Sequence, residues 1–234
     1  MSYRELLEVN VPELERRFKA REAAVESRVS LPFALRLDGV GFGKSLAGFE
    51  EPRDHRVHKA LVEGAVKLLT RFSASGAYVI SDEVNLLLLG PSVPYAGRVE
   101  KLVSISASIL SASVSLALGR SLIFDSRVVP LEGIDDAKRY VLYRARVGFN
   151  NYVGSTLRKL GVRVAERTSL PRQIEEIEKA GVRLSEKPLW EWGGSCVFWR
   201  IMEGKRNPCI EDGPWRLLEE VERYRAPELD QRKS

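Results

Sequence analysis

Apolar side chains recur along the chain in alternating blocks of helical and strand-like spacing. The helical spacing predicts helices over residues 3–27, 54–72, 98–117, 135–160 and 172–180. Shorter apolar runs predict strands over residues 32–37, 77–80, 84–89, 121–130 and 196–201. Between residues 31 and 130 the order is β-α-β-β-α-β, which is typical of the ferredoxin-like split βαβ arrangement. We therefore predict an α/β (α+β) fold in which an antiparallel sheet carries both of these helices on one face.

Three polar residues, Ser81, Asp82 and Glu83, separate the second and third predicted strands. Two adjacent acids are unfavourable in a hairpin turn, where Asn-Gly or Asp-Gly is expected, and such exceptions concentrate at functional sites. In the predicted fold this hairpin lies beside the end of the first strand, where Asp38 begins a glycine-rich stretch that ends at Lys44. We therefore expect Asp38 and Asp82 to converge. Paired carboxylates beside a glycine-rich backbone suit two magnesium ions, whose remaining ligands are waters and substrate phosphates.

The glycine-rich stretch allows other interpretations. Residues Gly39–Ser45 look like a phosphate-binding loop, but Asp38 stands where a P-loop requires its first glycine. Gly48 and Pro52 interrupt the segment that would have to be the helix of a P-loop. The dinucleotide pattern G-x-G-x-x-G also fails, because Lys44 occupies the place of its last glycine. A P-loop-like ATPase and a palm-fold nucleotide cyclase, neither of which needs an RNA acceptor, stay open as alternatives.

The composition is ordinary for a globular protein, with 44% hydrophobic and 29% charged residues and a formal net charge of +5. The basic excess is local, because nine Lys or Arg residues and one acid, Glu166, lie between Lys138 and Arg172. Such a segment suits the phosphates of a nucleic acid or of a triphosphate, and a solvated helix face explains it equally well. No signal peptide and no membrane span are expected, so we predict a cytoplasmic location.

The chain contains two histidines, His55 and His58, and two cysteines, Cys196 and Cys209. The cysteines lack the close pairing of a zinc site, so we predict no zinc. Two cysteines also provide no disulfide framework. We interpret both histidines as helix-surface residues.

Several motifs together resemble the tRNA(His) guanylyltransferase family, including its tRNA-repairing "like" proteins. The most specific are Arg36-Leu-Asp-Gly-Val-Gly-Phe42, Ser81-Asp-Glu83 and Phe124-Asp-Ser-Arg-Val-Val129. Further matches are Phe49-Glu-Glu-Pro-Arg-Asp54, Arg98-Val-Glu-Lys101 and Asn150-Asn151. The resemblance covers roughly residues 1–160, and its motifs occur in the order and spacing of the family.

The resemblance implies a polymerase-palm catalytic domain over residues 1–160 and a helical, aromatic-rich C-terminal extension over residues 161–234. It implies an enzyme that uses ATP or GTP and adds nucleotides to the 5′ end of tRNA in the 3′-to-5′ direction. Asp38, the Gly39 carbonyl and Asp82 would bind two Mg²⁺ ions, and Glu83 would be a supporting catalytic acid. Family members also suggest a homo-oligomer, specifically a tetramer.

The substrate contacts that the resemblance implies fall into two groups. Nucleotide binding is expected from the glycine-rich stretch, the hairpin and a helix N-terminus: Asp38, Gly39, Val40, Gly41, Phe42, Gly43, Lys44, Ser81, Asp82, Arg98 and Lys101. Contacts with tRNA are expected from basic and amide side chains: Arg127, Arg144, Asn150, Asn151, Arg158 and Lys159. Two plainer interpretations stay open, namely that Glu83 only shapes the turn and that Arg98 and Lys101 are solvated helix charges.

The chain departs from the family at Gly148-Phe-Asn-Asn151, where guanylyltransferases carry His-Ile-Asn-Asn, and at Gly154, where they carry a later Asn. Templated repair of tRNA 5′ ends is therefore an alternative to histidine-tRNA specificity. A non-catalytic tRNA-binding module is a further alternative, but a pure binder has no reason to place two like charges together. All four tryptophans lie between Trp190 and Trp215, and we favour a core role over base stacking for them.

Overall fold

The computed structural model describes residues 3–22 and 28–225. Its helices, in chain order, are α1 Arg4–Leu7, α2 Val11–Glu22, α3 Phe42–Ser45, α4 His55–Arg71, α5 Val99–Leu118, α6 Ile134–Lys159, α7 Leu170–Lys179, α8 Leu189–Gly193 and α9 Trp215–Glu222. Its strands are β1 Phe33–Gly39, β2 Gly76–Ile80, β3 Glu83–Leu88, β4 Phe124–Pro130, β5 Ser195–Met202 and β6 Lys205–Asp212. Short 3-10 turns occur at Pro94–Gly97 and Leu184–Glu186.

All six strands form one antiparallel sheet in the order β4-β1-β3-β2-β5-β6. The first four strands in this order, with α4 and α5 as the crossovers, are the predicted ferredoxin-like βαββαβ unit. The predicted α/β fold class is therefore confirmed.

The two faces of the sheet are covered by different helices because apolar residues alternate along the strands. Leu35 and Leu37 of β1 pack with the apolar sides of α4 and α5. Ala34, which precedes Leu35, points to the other face and belongs to the same apolar cluster as Phe149 of α6. Both crossover helices thus share one face, as predicted, and the long helix α6 covers the other. Asp38 lies on the α6 face, because it follows Leu37.

The N-terminal segment is broken where one continuous helix is predicted. Asn10 separates α1 from α2, and its Oδ1 accepts a hydrogen bond from the backbone N–H of Glu13 at 3.3 Å, as an N-cap does. Pro12 follows in the first turn, where the missing N–H costs nothing. Residues 23–27 of the predicted helix lie outside the described residues.

The C-terminal residues extend the sheet, since β5 pairs with β2 and β6 pairs with β5. Only the first of these strands is predicted from the sequence. The second, Lys205–Asp212, lies at the sheet edge with mostly exposed, charged side chains, and it therefore lacks the apolar run that predicts a strand.

Within the described residues, α5 is long and apolar enough to cross a membrane by length and composition, contrary to the expectation from the sequence. Its buried side chains include Leu102 and Leu110, which pack on the sheet. Ser106 on the same side makes a hydroxyl–hydroxyl hydrogen bond with Ser126 of β4 at 2.8 Å. One side of α5 thus packs on the sheet, but only 28% of its apolar window is buried.

Candidate active site

Carboxylates from three neighbouring strands meet at one end of the sheet. Asp38 at the end of β1 pairs with Glu83 of β3 on one side and with Asp125 of β4 on the other. The backbone N–H of Gly39 donates to the carbonyl of Asp82 in the β2–β3 hairpin at 3.2 Å, so the two predicted metal ligands belong to adjacent segments. The antiparallel register thus brings together residues that are 44 positions apart in sequence.

Asp125 is an acid that the sequence pattern does not predict to be part of the site. It occurs in the Phe124–Val129 motif, but only the pairing of β4 with β1 places it beside Asp38. Burial and then the charges of Glu83, Asp82 and Asp125 raise the pKa of Asp38 to about 6. Crowded carboxylates of this kind attract a cation, because a cation relieves their mutual repulsion.

The hairpin that carries Asp82 is strained. The loop contains two residues, Ser81 and Asp82, between the paired residues Ile80 and Glu83. Ser81 adopts a left-handed φ of 58°, which favours glycine in such a turn. Its hydroxyl donates to Oδ1 of Asp82 at 2.9 Å, which orients the carboxylate. The backbone strain therefore serves to position an acid.

Glu83 is held in a buried network and is not free to act as a catalytic acid. The guanidinium of Arg144 forms a bidentate ion pair with it, Nε donating to Oε1 at 2.8 Å and Nη2 to Oε2. The amide of Asn85 donates to the same Oε1 at 2.7 Å. Glu83 therefore supports the turn beneath Asp38, which agrees with the supporting role that the resemblance implies and not with a direct role as a catalytic acid. Arg144 is corrected as well, because its side chain is only 11% exposed and is committed to Glu83 rather than available to tRNA.

The glycine-rich stretch forms a compact loop against the sheet. A Cβ on Gly39 would lie 2.3 Å from the Phe42 ring, which packs on Phe124 with centroids 5.2 Å apart. Gly41 adopts a left-handed φ of 63°, and α3 ends after a single turn at Ser45. A P-loop needs a parallel sheet and a long helix at this point, so the antiparallel sheet excludes the P-loop alternative.

A cavity of about 320 Å³ opens beside this loop and the hairpin, a volume typical of small-molecule sites. The residues that line it include five that were predicted from the sequence, Phe42, Gly43, Ser81, Asp82 and Arg158, and others that were not. Chief among the latter are Arg53, His58 and Trp190.

Arg53 is a half-buried cation next to the hairpin. Its Nη1 donates to the Pro52 carbonyl at 2.9 Å. Its Nε and Nη2 are buried and have no hydrogen-bond partner among the described residues. Burial lowers the pKa of Arg53, and the charge of Asp82 opposes that effect. The motif Phe49–Asp54 contains this residue, but nothing in the sequence indicates that its side chain faces Asp82.

Arg98 and Lys101 do not reach the site within one chain. The Phe124 N–H donates to the hydroxyl of Ser111 on α5, which places Ser111 level with Gly39. Lys101 precedes Ser111 by ten residues, about 15 Å along a helix. Arg98 lies still farther away, and α5 covers the sheet face opposite Asp38. The predicted nucleotide contacts of both residues are therefore wrong for the single chain.

The remaining residues that were predicted to bind nucleotide or tRNA lie at different distances from the cavity. Val40 and Lys44 belong to the glycine-rich loop, and Arg127 forms an ion pair with Asp125 at 3.1 Å. Arg158 lines the cavity, and the Lys159 ammonium donates to the Glu51 carbonyl at its edge. Asn150 has a buried Oδ1 without a partner among the described residues, and Asn151 is exposed.

Gly148 allows α6 to approach the sheet closely. A Cβ at this position would lie 2.0 Å from Cγ1 of Ile80, immediately before the hairpin. A histidine, which the resemblance places here in guanylyltransferases, would require Ile80 and the hairpin to move. Gly154 is less crowded, since its Cβ would meet only Arg158 at 3.7 Å.

The histidines and tryptophans are only partly as predicted. His55 is exposed, whereas His58 stacks on Trp190 at 4.9 Å between centroids and hydrogen bonds to Ser195, so the prediction of a surface residue is wrong for His58. Trp192 is a core residue, as predicted. Both cysteines are free, and among the described residues no three His, Cys, Asp or Glu side chains are grouped so as to hold a metal ion by themselves.

Comparisons with known proteins agree with this arrangement. The family model of tRNAHis guanylyltransferase matches residues 15–132, which is half of the chain. An uncharacterized protein of Acanthamoeba polyphaga mimivirus is 23% identical over 204 residues, 70% of this chain and 69% of that protein.

Two solved structures share the fold. A bacterial tRNA(His) guanylyltransferase-like protein in complex with ATP is 18% identical, with a TM-score of 0.71 over 91% of this chain and 97% of that chain. The tRNA(His) guanylyltransferase of Saccharomyces cerevisiae is 20% identical, with a TM-score of 0.62 over 81% of this chain and 94% of that chain.

Proposed function

Because this chain belongs to the tRNAHis guanylyltransferase family, we propose that it adds nucleotides to the 5′ end of tRNA in the 3′-to-5′ direction. The observation that carries the proposal is the convergence of Asp38 and Asp82 beside a cavity large enough for part of a nucleotide. In this reaction the 3′-hydroxyl of the incoming nucleotide attacks the activated 5′ phosphate of the RNA, forms a phosphodiester bond with it and displaces the activating group, a nucleoside monophosphate or pyrophosphate.

The residues at the sheet end fit magnesium. Asp38 lies among three other acids, whose charges outweigh that of the nearby Arg36. Asp38, Asp82 and the Gly39 carbonyl supply oxygen ligands, which Mg²⁺ prefers. Two bound ions would stabilise the attacking and leaving oxygens. Ser81 orients the Asp82 carboxylate for this role, and the Glu83–Arg144 pair fixes the strand beneath it.

We propose templated addition rather than addition of G alone. The support is the close contact between Gly148 and Ile80, which leaves no room for a base-reading side chain at that position. Pairing with the opposite base can supply the selectivity that protein contacts otherwise must. A cytoplasmic location stays a prediction from the sequence, and a tetrameric assembly stays a prediction from the family resemblance.

The proposal is tested by incubating the protein with magnesium, labelled nucleotides and tRNAs that lack the first nucleotide. Four such tRNAs differ only in the base opposite the gap, and the extended end is then mapped. We expect growth at the 5′ end by the complementary nucleotide. Addition of G regardless of the opposing base would contradict templating. Growth at the 3′ end, or production of cyclic nucleotide alone, would contradict the proposed function.

A further inference from the structure

A chain of hydrogen bonds runs from the sheet edge into the cavity wall. Ser195 on β5 pairs with Asp212 on β6, and its hydroxyl donates to Oδ1 of Asp212 at 2.7 Å. The same hydroxyl oxygen lies 2.8 Å from Nε2 of His58, one turn into α4. Ser195 is buried, so its geometry is fixed by the two partners.

The two hydrogen bonds of Ser195 determine which ring nitrogen of His58 carries the proton. A carboxylate only accepts hydrogen bonds, so the single hydroxyl proton of Ser195 is used on Asp212. The serine oxygen must therefore accept from His58, and Nε2 carries the hydrogen. In the neutral ring Nδ1 is then an acceptor. Burial, with smaller contributions from His55 and Arg53, lowers the pKa of His58 to about 4, so the ring is neutral at pH 7.

The ring is also fixed in orientation. Trp190 stacks on it with an interplanar angle of 27°. His58 lines the cavity that also contains Asp82 and Ser81, whereas Ser195 is not part of the cavity wall. Ser195 occupies Nε2, so Nδ1 is the ring nitrogen left for a ligand in the cavity, and no hydrogen bond to it occurs among the described residues. A fixed acceptor on a cavity wall is available to a donor group on a ligand that displaces water from it.

We propose that His58 is a specificity-determining residue whose Nδ1 accepts a hydrogen bond from an N–H group of a purine nucleobase bound in this cavity. The inference rests on the proposed function in one respect, namely that the cavity holds a nucleotide whose phosphates lie toward Asp82. A base that lacks such a donor leaves the acceptor unpaired and is bound more weakly. Trp190 and His58 thus form the base end of the site, and the acids form its phosphate end.

The test compares nucleoside triphosphates that differ only in base donors. GTP carries ring and exocyclic N–H groups, ATP carries an exocyclic amine, and purine riboside triphosphate carries no N–H on its base. The equilibrium dissociation constant of each nucleotide is measured by calorimetry in a buffer that contains magnesium and no tRNA. We expect wild type to bind GTP or ATP about 10-fold or more tightly than purine riboside triphosphate. Whichever of the two is favoured identifies the donor.

His58→Leu should reduce this preference to less than about 3-fold, because it removes the acceptor and keeps an apolar side chain of similar size. His58→Asn should retain more of the preference than His58→Leu does, since its amide oxygen lies near the position of Nδ1. Lys59→Met is the control, an exposed neighbour of His58 on the same helix that does not line the cavity, and its loss should leave the preference unchanged.

Ser195→Ala provides a second test that keeps the ring. Without the serine acceptor the proton is free to move to Nδ1, so the preference should shrink while purine riboside triphosphate still binds. This variant decides the question if His58→Leu does not fold, as judged by its melting temperature.

Three results would overturn the proposal. Wild type could bind GTP and ATP no more tightly than purine riboside triphosphate. The His58→Leu and Ser195→Ala variants could both keep the wild-type preference, or they could weaken the binding of all three ligands equally. The test does not use tRNA, so a protein that discriminates bases but extends no RNA would contradict only the proposed function. A protein that extends tRNA without the expected preference would contradict only the role of His58. Absence of nucleotide binding by wild type would contradict both.

Discussion

Replacing Asp38 by Asn should stabilise the metal-free protein at pH 8. The pKa of Asp38 rises from its ordinary value of 3.8 to about 6, because the folded state buries its charge beside Glu83, Asp82 and Asp125. A rise of about two pH units corresponds to about 3 kcal/mol, at about 1.4 kcal/mol for each unit. Asp38 is only half-buried, so solvent screening reduces this to about 1–2 kcal/mol.

The sign of the pH dependence follows from the direction of the shift. A folded-state pKa above the unfolded value means that the folded protein binds the proton more tightly, so Asp38 favours folding below pH 4. That contribution is lost as the pH rises through 6, and it stays lost at pH 8. The Asn side chain of the Asp38→Asn variant does not titrate. The variant's unfolding free energy should therefore equal that of wild type near pH 4 and exceed it most above pH 7.

Urea unfolding in EDTA at pH 4, 6 and 8 measures this advantage as a difference in unfolding free energy. At pH 8 the melting temperature should rise by about 2–8 °C, given about 2–4 °C for each kcal/mol in a domain of this size. Asp135→Asn is a control whose pKa shift has the opposite direction, because the hydrogen bond from Arg225 lowers the pKa of Asp135. Removing the Asp135 charge should therefore not stabilise the protein. Magnesium should stabilise wild type more than the Asp38→Asn variant. A variant less stable than wild type at pH 8, or an advantage independent of pH, would refute the clustered-carboxylate reasoning.

Other variants test separate parts of the structure. Arg53→Gln should weaken triphosphate binding about 10-fold in calorimetry, because the buried Nε and Nη2 form a fork suited to a phosphate; unchanged affinity would remove Arg53 from the site. Lys101→Ala should leave the nucleotide dissociation constant unchanged, since Lys101 lies on the far part of α5, and a clear loss would show that it reaches a nucleotide after all. Arg144→Met should lower the unfolding free energy in urea by about 3–5 kcal/mol, because it leaves Glu83 buried without its partner. Adding Glu83→Gln to Arg144→Met should recover part of that loss, and failure to do so would argue against a charge effect.

The sequence was sufficient for the ferredoxin-like order and for the meeting of Asp38 with Asp82. Both follow from local information, because strand and helix periodicity set the order of elements and the order sets which ends are adjacent. The unusual turn at Ser81 also identified the site, since a strained loop with two acids breaks a local rule. The β5–β6 hairpin was only half predicted, because Lys205–Asp212 is an exposed edge strand without an apolar pattern.

Side-chain roles depended on the tertiary structure. In the sequence, Glu83 belongs to a family motif and Arg144 to a basic segment. Only the packing of α6 on the sheet shows that their charges neutralise each other. Lys101 lies in a matching motif, yet the direction of α5 carries it away from Asp38.

By itself the sequence determined the order of the elements, the meeting of the two aspartates and the family, because each of these is carried by spacing along the chain. Only the tertiary structure decided that Asp125 joins the carboxylates and that Ser195 fixes the proton on His58. The physical reason is that register and helix packing join residues distant in sequence, and that hydrogen bonds and desolvation act over a few ångströms of space. Nothing in the spacing of Asp38 and Asp125, or of His58 and Ser195, records that contact.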